Sequence, residues 1–583
     1  MNAKPKTSRT KIIIGLTFFV MVIFAIRLFN IQIIDHDKYR LQSENSQTTK
    51  YTIQPKRGQI YIRDRNNFAP LVLNEPIYTA FADPVEIDKE DESKVAEMIR
   101  KIAPDKVNEE SLNLLSSDKL RYVVIAKQLT RKEAEQVKDA DFYGVGVQIG
   151  TRRSYPEGGL AGQVLGFVNA DGEGQYGIEQ YLDIDLRGTP GLMKSAISSQ
   201  NIPLTIGVND VRIPAVDGAN VVLTLDRNIQ SQAETILKNG LERVGAENGS
   251  MLVMDPNTGA ILAMTNYPTY NPAEYFKVQD ASAYTNNIVS NPFEPGSVAK
   301  VMTMASAIDS GSVWRESVFS NTGCVQVADA NICNADRTVD NRTVSMTTVL
   351  QYSLNTGVVW ALSQMGNGNI NNQAKEKLYD YFSNHYRLNR PTGIEQAGEI
   401  AGNMYKPTDV QGGPVNYANM TFGQGFSTTV LNMAAGFSAV VNGGTYYKPH
   451  LVYGDLDTSG QVRLHEPEVV NESVVSAETS RIIREMMKQA RYDNGGNVLD
   501  RGYFVGAKSG TAQVYDEKTG KYSTERMVGT YLGFGADVSG TPKYVIMVRV
   551  DDSRAGGYAG TTAAGPIFTE MSNWIINYEG ITK

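Results

Sequence analysis

A serine three residues before a lysine on a helix lets the lysine amine reach the serine hydroxyl from one turn along the same face. Where burial or a neighbouring cation lowers the lysine pKa, the neutral amine takes the serine proton and no histidine is needed. Three pairs have this spacing: Ser8/Lys11, Ser116/Lys119 and Ser297/Lys300. Chance alone supplies about two in a chain this long, so context must choose. Ser8 lies in a basic tail and Ser116 in the polar run S-S-D-K, both of which read as solvated surface. Ser297 follows F-E-P-G, where Gly296 permits a tight turn, and Val301, Met304, Ala305 and Ile308 bury one face of the helix that follows. It therefore stands at the N-terminus of a buried helix, where the dipole favours developing negative charge.

Two later stretches offer partners. Y-S-L-N-T-G sets Ser353 and Asn355 in a turn between helical stretches, and G-A-K-S-G-T-A-Q-V sets Lys508, Ser509, Gly510 and Thr511 on a strand. Lys508 can lower the pKa of the serine and lysine, and the Ser509 and Thr511 hydroxyls suit a carboxylate. Gly510, lacking a side chain, lets a substrate backbone lie against the strand edge. A competing K-T-G at 518–520, flanked by Asp516, Glu517 and Lys521, reads as an exposed hairpin turn.

Composition removes the alternatives. The 583 residues are 41 % hydrophobic and 20 % charged, as in a folded protein of several domains. A net charge of -7 lacks the basic excess that nucleic-acid binding requires. Four histidines and two cysteines exclude H-E-x-x-H zinc sites and four-cysteine sites, no G-x-S-x-G elbow is present, and no metal or organic cofactor is expected.

The elements that must position these groups follow. Lys4, Lys6, Arg9 and Lys11 precede an apolar stretch over 12–34, interrupted by Arg27, without a small-x-small cleavage site. This predicts an uncleaved single-pass anchor with residues 1–11 in the cytoplasm and everything after about 35 outside the plasma membrane. Outside, disulfides persist, and C-V-Q-V-A-D-A-N-I-C reads as a hairpin clasped by Cys324 and Cys333, two free thiols being the alternative. Residues 35–216 mix short strands with charged helices such as 89–102. A new unit starts at Asp217, with strands at 250–254, 260–264, 527–536 and 544–550 and helices at 227–244 and 565–578. Strands at both ends of a helical middle predict a sheet whose first and last elements meet.

The order S-x-x-K, S-x-N, K-[ST]-G is that of the penicillin-recognising serine enzymes, and the chain resembles the class B penicillin-binding proteins, membrane-anchored peptidoglycan D,D-transpeptidases. Supporting stretches are R-S-Y-P-E-G-G-L-A-G at 153–162, G-I-E-Q-Y-L-D-I-D-L-R-G at 177–188, F-E-P-G-S at 293–297, F-G-Q-G-F-S-T-T at 422–429 and N-G-G-T-Y-Y-K-P-H at 442–450. The resemblance implies an α+β architecture: a mixed α/β pedestal of the dimerisation type over 35–216, then a transpeptidase domain over 217–583 with a five-stranded antiparallel sheet between helices. It implies Ser297 as the nucleophile acylated by the penultimate D-Ala of a stem peptide, with Lys300 as base. It also implies that Ser353 and Asn355 relay protons and hold the peptide amide, that Lys508, Ser509 and Thr511 bind the terminal carboxylate, and that Gly510 belongs to the substrate-binding strand. The backbone amides of Ser297 and Thr511 form the oxyanion hole, worth roughly 3 kcal/mol per donor.

Two departures mark the chain. The family's pedestal motif R-G-x-I-x-D-R-N-G appears as R-G-Q-I-Y-I-R-D-R-N-N at 57–67, two residues longer, and Val298 and Ala299 are smaller than usual. With no room for a glycosyltransferase ahead of 217, the expected partners are stem peptides, lipid-linked precursor and nascent glycan, β-lactams, and a polytopic membrane glycosyltransferase with other division proteins. Anchor, length and pedestal size favour the septal over the elongation type; a β-lactamase and a non-catalytic β-lactam sensor or scaffold remain the other readings.

Overall fold

The structure, a computed structural model, describes residues 9–39, 48–196, 211–457, 459–493, 503–516, 521–553 and 558–582. Ser8 and the K-T-G at 518–520 lie outside the described residues. The chain divides into two compact units, one of residues 1–57 and 187–218, the other of 58–186 and 219–583.

In the first unit, Arg9–Phe29 is an α-helix that continues through a π-helical turn, Asn30–Ile34. These 26 residues bury no side chain in the protein, and at about 1.5 Å each they exceed the roughly 30 Å of bilayer hydrocarbon. A helix satisfies every backbone group internally, which lipid requires. The unit also holds a three-stranded antiparallel sheet, Gly191–Ala196 between Thr48–Ile53 and Val211–Ile213.

Two large sheets, beside small two-stranded ones, build the second unit. In one, the 16-residue strand Asn67–Ala82 pairs with Ile60–Asp64, Val123–Leu129 and Val145–Ser154. Helices Glu92–Ile102 and Arg131–Asp139 cover it through Val95, Ile99 and Val137. The second helix opens with a capping box, Thr130 and Glu133 satisfying each other's backbone N–H. The strand Asn220–Asp226 runs parallel to Ile60–Asp64 and antiparallel to Val452–Leu456, so this sheet draws on three remote stretches of chain.

The other sheet has five antiparallel strands in the order Ile261–Tyr267, Asn248–Met254, Pro542–Asp551, Lys521–Ala536, Phe504–Asp516. The first and last elements meet, as the pattern of strands predicts. Successive residues point to opposite faces. Met251, Val253, Ile546 and Val548 pack on helices Arg227–Val244 and Gly565–Tyr578 through Leu237, Leu241, Ile567 and Phe568. Leu252, Met254, Leu532 and Met547 face helices Ala299–Asp309, Val430–Val441 and Ala477–Asp493. Asp226 starts the helix Arg227–Val244 by accepting from the backbone N–H of Asn228 and Ile229, at 2.9 and 3.1 Å. The architecture is therefore α+β with a helix-covered antiparallel sheet, and Phe504–Asp516 is one of its two edges.

Candidate active site

Ser297 sits half-buried in a 3-10 turn, Gly296–Val298, that runs directly into the helix Ala299–Asp309. The turn requires φ +64° at Gly296, the left-handed region that glycine enters without a Cβ penalty. Its backbone is gripped from both sides. Gly296 N–H donates to Gly423 O at 3.0 Å, and a Cβ on Gly296 would stand 3.0 Å from Thr511 O and 3.3 Å from Thr511 N. The two amides expected to form an oxyanion hole, those of Ser297 and Thr511, thus belong to adjoining backbones. Val298 and Ala299 are wholly buried, and their small size lets the helix sit deep in the core.

Lys300, one turn along, is 1 % exposed. Its Nζ donates to the backbone O of Ser353 and, at 3.0 Å, to Ser353 Oγ. Burial pulls its pKa well below the ordinary 10.5, and the charge of Lys508 lowers it further. Burial alone brings Lys508 down to about 7, so Lys300 is the one of the pair whose charge is disfavoured twice. A neutral amine on Lys300 can take a proton, while Lys508, lowered to about 7, keeps below that pH the charge that suits a carboxylate. Ser353 occupies the left-handed region at φ +53°, uncommon for a residue with a Cβ, in the turn between helices Met346–Gln351 and Asn355–Met365.

Asn355 opens the second of those helices, and its Nδ2 donates to Cys333 O at 2.9 Å. Cys333 lies opposite Cys324 in the hairpin Cys324–Val327/Ala330–Cys333, and the two are disulfide-bonded. Below the hairpin, Asn334 Oδ1 accepts from the backbone N and the Oγ1 of Thr356, both at 3.0 Å. The clasped hairpin is thereby tied to the Ser353–Asn355 turn, and Asn355 is spent in part on holding it.

On the edge strand, Lys508 Nζ donates to Ser509 O at 2.8 Å. Thr511 Oγ1 accepts from Gly560 N–H at 3.1 Å, which leaves its own proton to donate. Gly510 is occupied differently from the expectation of a gap for substrate backbone. A Cβ there would lie 2.3 Å from Thr530 Oγ1, 2.9 Å from Pro295 O and 3.1 Å from Val298 N, so the missing side chain admits this chain's own nucleophile turn.

Lys300 and Ser353 are thus joined directly, and the Ser297 turn lies on the Gly510–Thr511 backbone. Two groups escaped the reading of the sequence. Gly423, quoted within F-G-Q-G-F, grips the nucleophile turn. Thr530 and Arg549 are buried polar residues in apolar strands, and the second left a legible trace: an arginine inside Y-V-I-M-V-R-V-D.

Residues 249–573 match the penicillin binding protein transpeptidase domain, and residues 52–223 match the penicillin-binding protein dimerisation domain. Among curated relatives, stage V sporulation protein D of Bacillus subtilis is 30% identical over 97% of this chain and 85% of its own length. Peptidoglycan D,D-transpeptidase FtsI of Escherichia coli is 26% identical over 97% of this chain and 91% of its own. Among solved structures, penicillin binding protein 2X of Streptococcus thermophilus superposes with a TM-score of 0.71 at 26% identity, covering 92% of this chain and 82% of that one.

Proposed function

Since the chain belongs to the class B penicillin-binding proteins, we propose that Ser297, Lys300, Ser353, Asn355 and Lys508 carry its D,D-transpeptidase chemistry. The protein is a serine D-Ala-D-Ala transpeptidase of the septal type and a penicillin target. Ser297 Oγ attacks the carbonyl carbon of the penultimate D-Ala while Lys300 Nζ takes the hydroxyl proton. The carbonyl oxygen becomes an oxyanion held by the backbone N–H groups of Ser297 and Thr511. Collapse breaks the peptide C–N bond, and the proton passes, with Ser353 as relay, to the departing terminal D-Ala nitrogen. An amine of a second stem peptide then attacks the ester, returning Ser297 its proton through the same lysine. Lys508, with the Ser509 and Thr511 hydroxyls, holds the donor's terminal carboxylate, and Asn355 steadies its amide.

The observation that carries this reading is the buried Lys300 amine held by Ser353, with its charged form disfavoured by burial and by Lys508. The same reading divides the chain at 216/217 into pedestal and transpeptidase. It places residues 1–11 in the cytoplasm and the catalytic part outside, and assigns glycan polymerisation to a polytopic glycosyltransferase that docks through Arg27 and the pedestal. The test is covalent labelling of the full-length chain in detergent by a fluorescent penicillin, beside Ser297→Ala. Stable label absent from the variant is expected; label on the variant refutes Ser297, and release within minutes refutes transpeptidation in favour of hydrolysis.

A further inference from the structure

One residue from each of the five strands stands in a single line across the sheet: Gly510 opposite Thr530, Thr530 opposite Arg549, Arg549 opposite Ser250, Ser250 opposite Asn266. Four of these five residues are polar, and all four are buried: Thr530 is 0 %, Ser250 2 %, Asn266 3 % and Arg549 7 % exposed. Buried polar groups raise the cost of folding unless each is bonded.

Their partners follow one another along the segment leading to Ser297. Asn266 accepts from Ser250 Oγ at 2.8 Å and donates to Asn286 Oδ1 at 2.9 Å. Asn286 in turn caps the short helix Asn287–Ser290. Arg549 Nη1 donates to Asn291 O at 3.1 Å, its Nε is fixed by Asp551 at 2.8 Å, and its guanidinium lies 4.4 Å over the Phe293 ring. Thr530 Oγ1 donates to Pro295 O at 3.0 Å. Gly510, last in the rank, leaves the space into which Pro295 O and Val298 N approach. Strand by strand, the sheet fastens residues 286, 291, 293, 295 and 298 in order.

We infer that this rank is a positioning device: Thr530 and Arg549, fastened to the chain just before Ser297, set where its hydroxyl stands relative to Lys300 and the Thr511 amide. Apolar side chains of similar volume would cover the same surface, but they would fix no direction along the segment. A hydrogen bond to Pro295 O does fix one, two residues from the nucleophile. The inference rests on Ser297 being the nucleophile.

The test measures acylation of the full-length chain in detergent by a fluorescent penicillin over a range of concentrations, giving a limiting rate constant, a half-saturation concentration and a labelling amplitude. Thr530→Val removes the hydroxyl at nearly constant volume, and Thr530→Ser keeps it. Amplitude reports the folded fraction, whereas the limiting rate reports geometry. We expect the limiting rate to fall roughly tenfold in Thr530→Val, because small misplacements of reacting groups act on the chemical step. Half-saturation should stay constant, and Thr530→Ser should return the rate. A wild-type limiting rate in Thr530→Val at any amplitude, or equal losses in both variants, overturns the proposal. Label surviving in Ser297→Ala would instead overturn the assignment of the nucleophile, a separate result.

Discussion

Replacing Lys508 by methionine should make the protein more stable while abolishing its use of a carboxylate. Folding brings the lysine from 10.5 to about 7 through burial. At about 1.4 kcal/mol per pKa unit, the fall to about 7 corresponds to roughly 5 kcal/mol held against the folded state wherever the group is charged in both states. Methionine removes that penalty but also the bond to Ser509 O, worth about 1 kcal/mol net for an uncharged donor. The expected gain at pH 6 is therefore about 4 kcal/mol. The sign with pH follows from linkage. Between about 7 and 10.5 the unfolded chain binds the proton that the folded chain lacks, so wild-type stability rises through this window. The advantage of Lys508→Met should shrink across it and reverse slightly at its upper end. Urea unfolding of both proteins at several pH values, in the same detergent, measures the difference directly. Equal stability at pH 6, or a difference independent of pH, would refute the claim that this lysine is charged at the expense of the fold.

Three further outcomes are expected. The limiting rate of penicillin acylation should fall on acidification as Lys300 gains a proton, while half-saturation concentration should rise above about pH 7 as Lys508 loses its own. A flat profile for both would exclude the two lysines from these roles. Gly510→Ala places a Cβ 2.3 Å from Thr530 Oγ1, and overpacking of this kind costs about 1–3 kcal/mol; unfolding and labelling should both report it, and wild-type values in both would show that the turn yields freely. Mass spectrometry of the non-reduced digest should find Cys324 joined to Cys333, and reduction should remove about 2–3 kcal/mol from that region, seen as faster proteolysis within 321–334; a pair that alkylates freely would contradict the bond.

The chemistry was legible because its residues come in short words whose order survives any folding of the intervening chain. Ser297 could be chosen over Ser116 only because the residues after it bury a helical face. The helix Arg227–Val244 begins at its Asp226 cap and ends at left-handed Gly245, while Gly565–Tyr578, which runs on from a π-helical turn without a side-chain cap, was legible from its periodicity alone. The strands extend beyond their apolar cores: Pro542–Asp551 and Lys521–Ala536 add residues that pairing, and no side-chain preference, keeps extended. The polar rank was illegible for a related reason. Thr530 reads as an ordinary strand residue until register places it beside Arg549 and Gly510, and register is a property of pairs of strands. The purpose of Gly510 was misread likewise, since the approach of Pro295 spans more than two hundred residues of sequence and has no local signature.

The sheet that joins Ile60–Asp64, Asn220–Asp226 and Val452–Leu456 bears on how such a gene can change. Bacterial genes exchange segments by recombination, and a crossover is tolerated when the strands it separates still match. Here, a donor segment running from before 60 to a point between 226 and 452 would import Val221 and Val222 with their neighbours at Ile60 and Tyr61, yet leave their other partners, Asp455 and Gly454, native. Mosaic descendants should therefore inherit 60–64, 220–226 and 452–456 as a set, or carry breakpoints only where both flanks of that seam come from one parent. A seam drawn from three separate stretches of sequence would then govern which hybrids of the chain can fold at all.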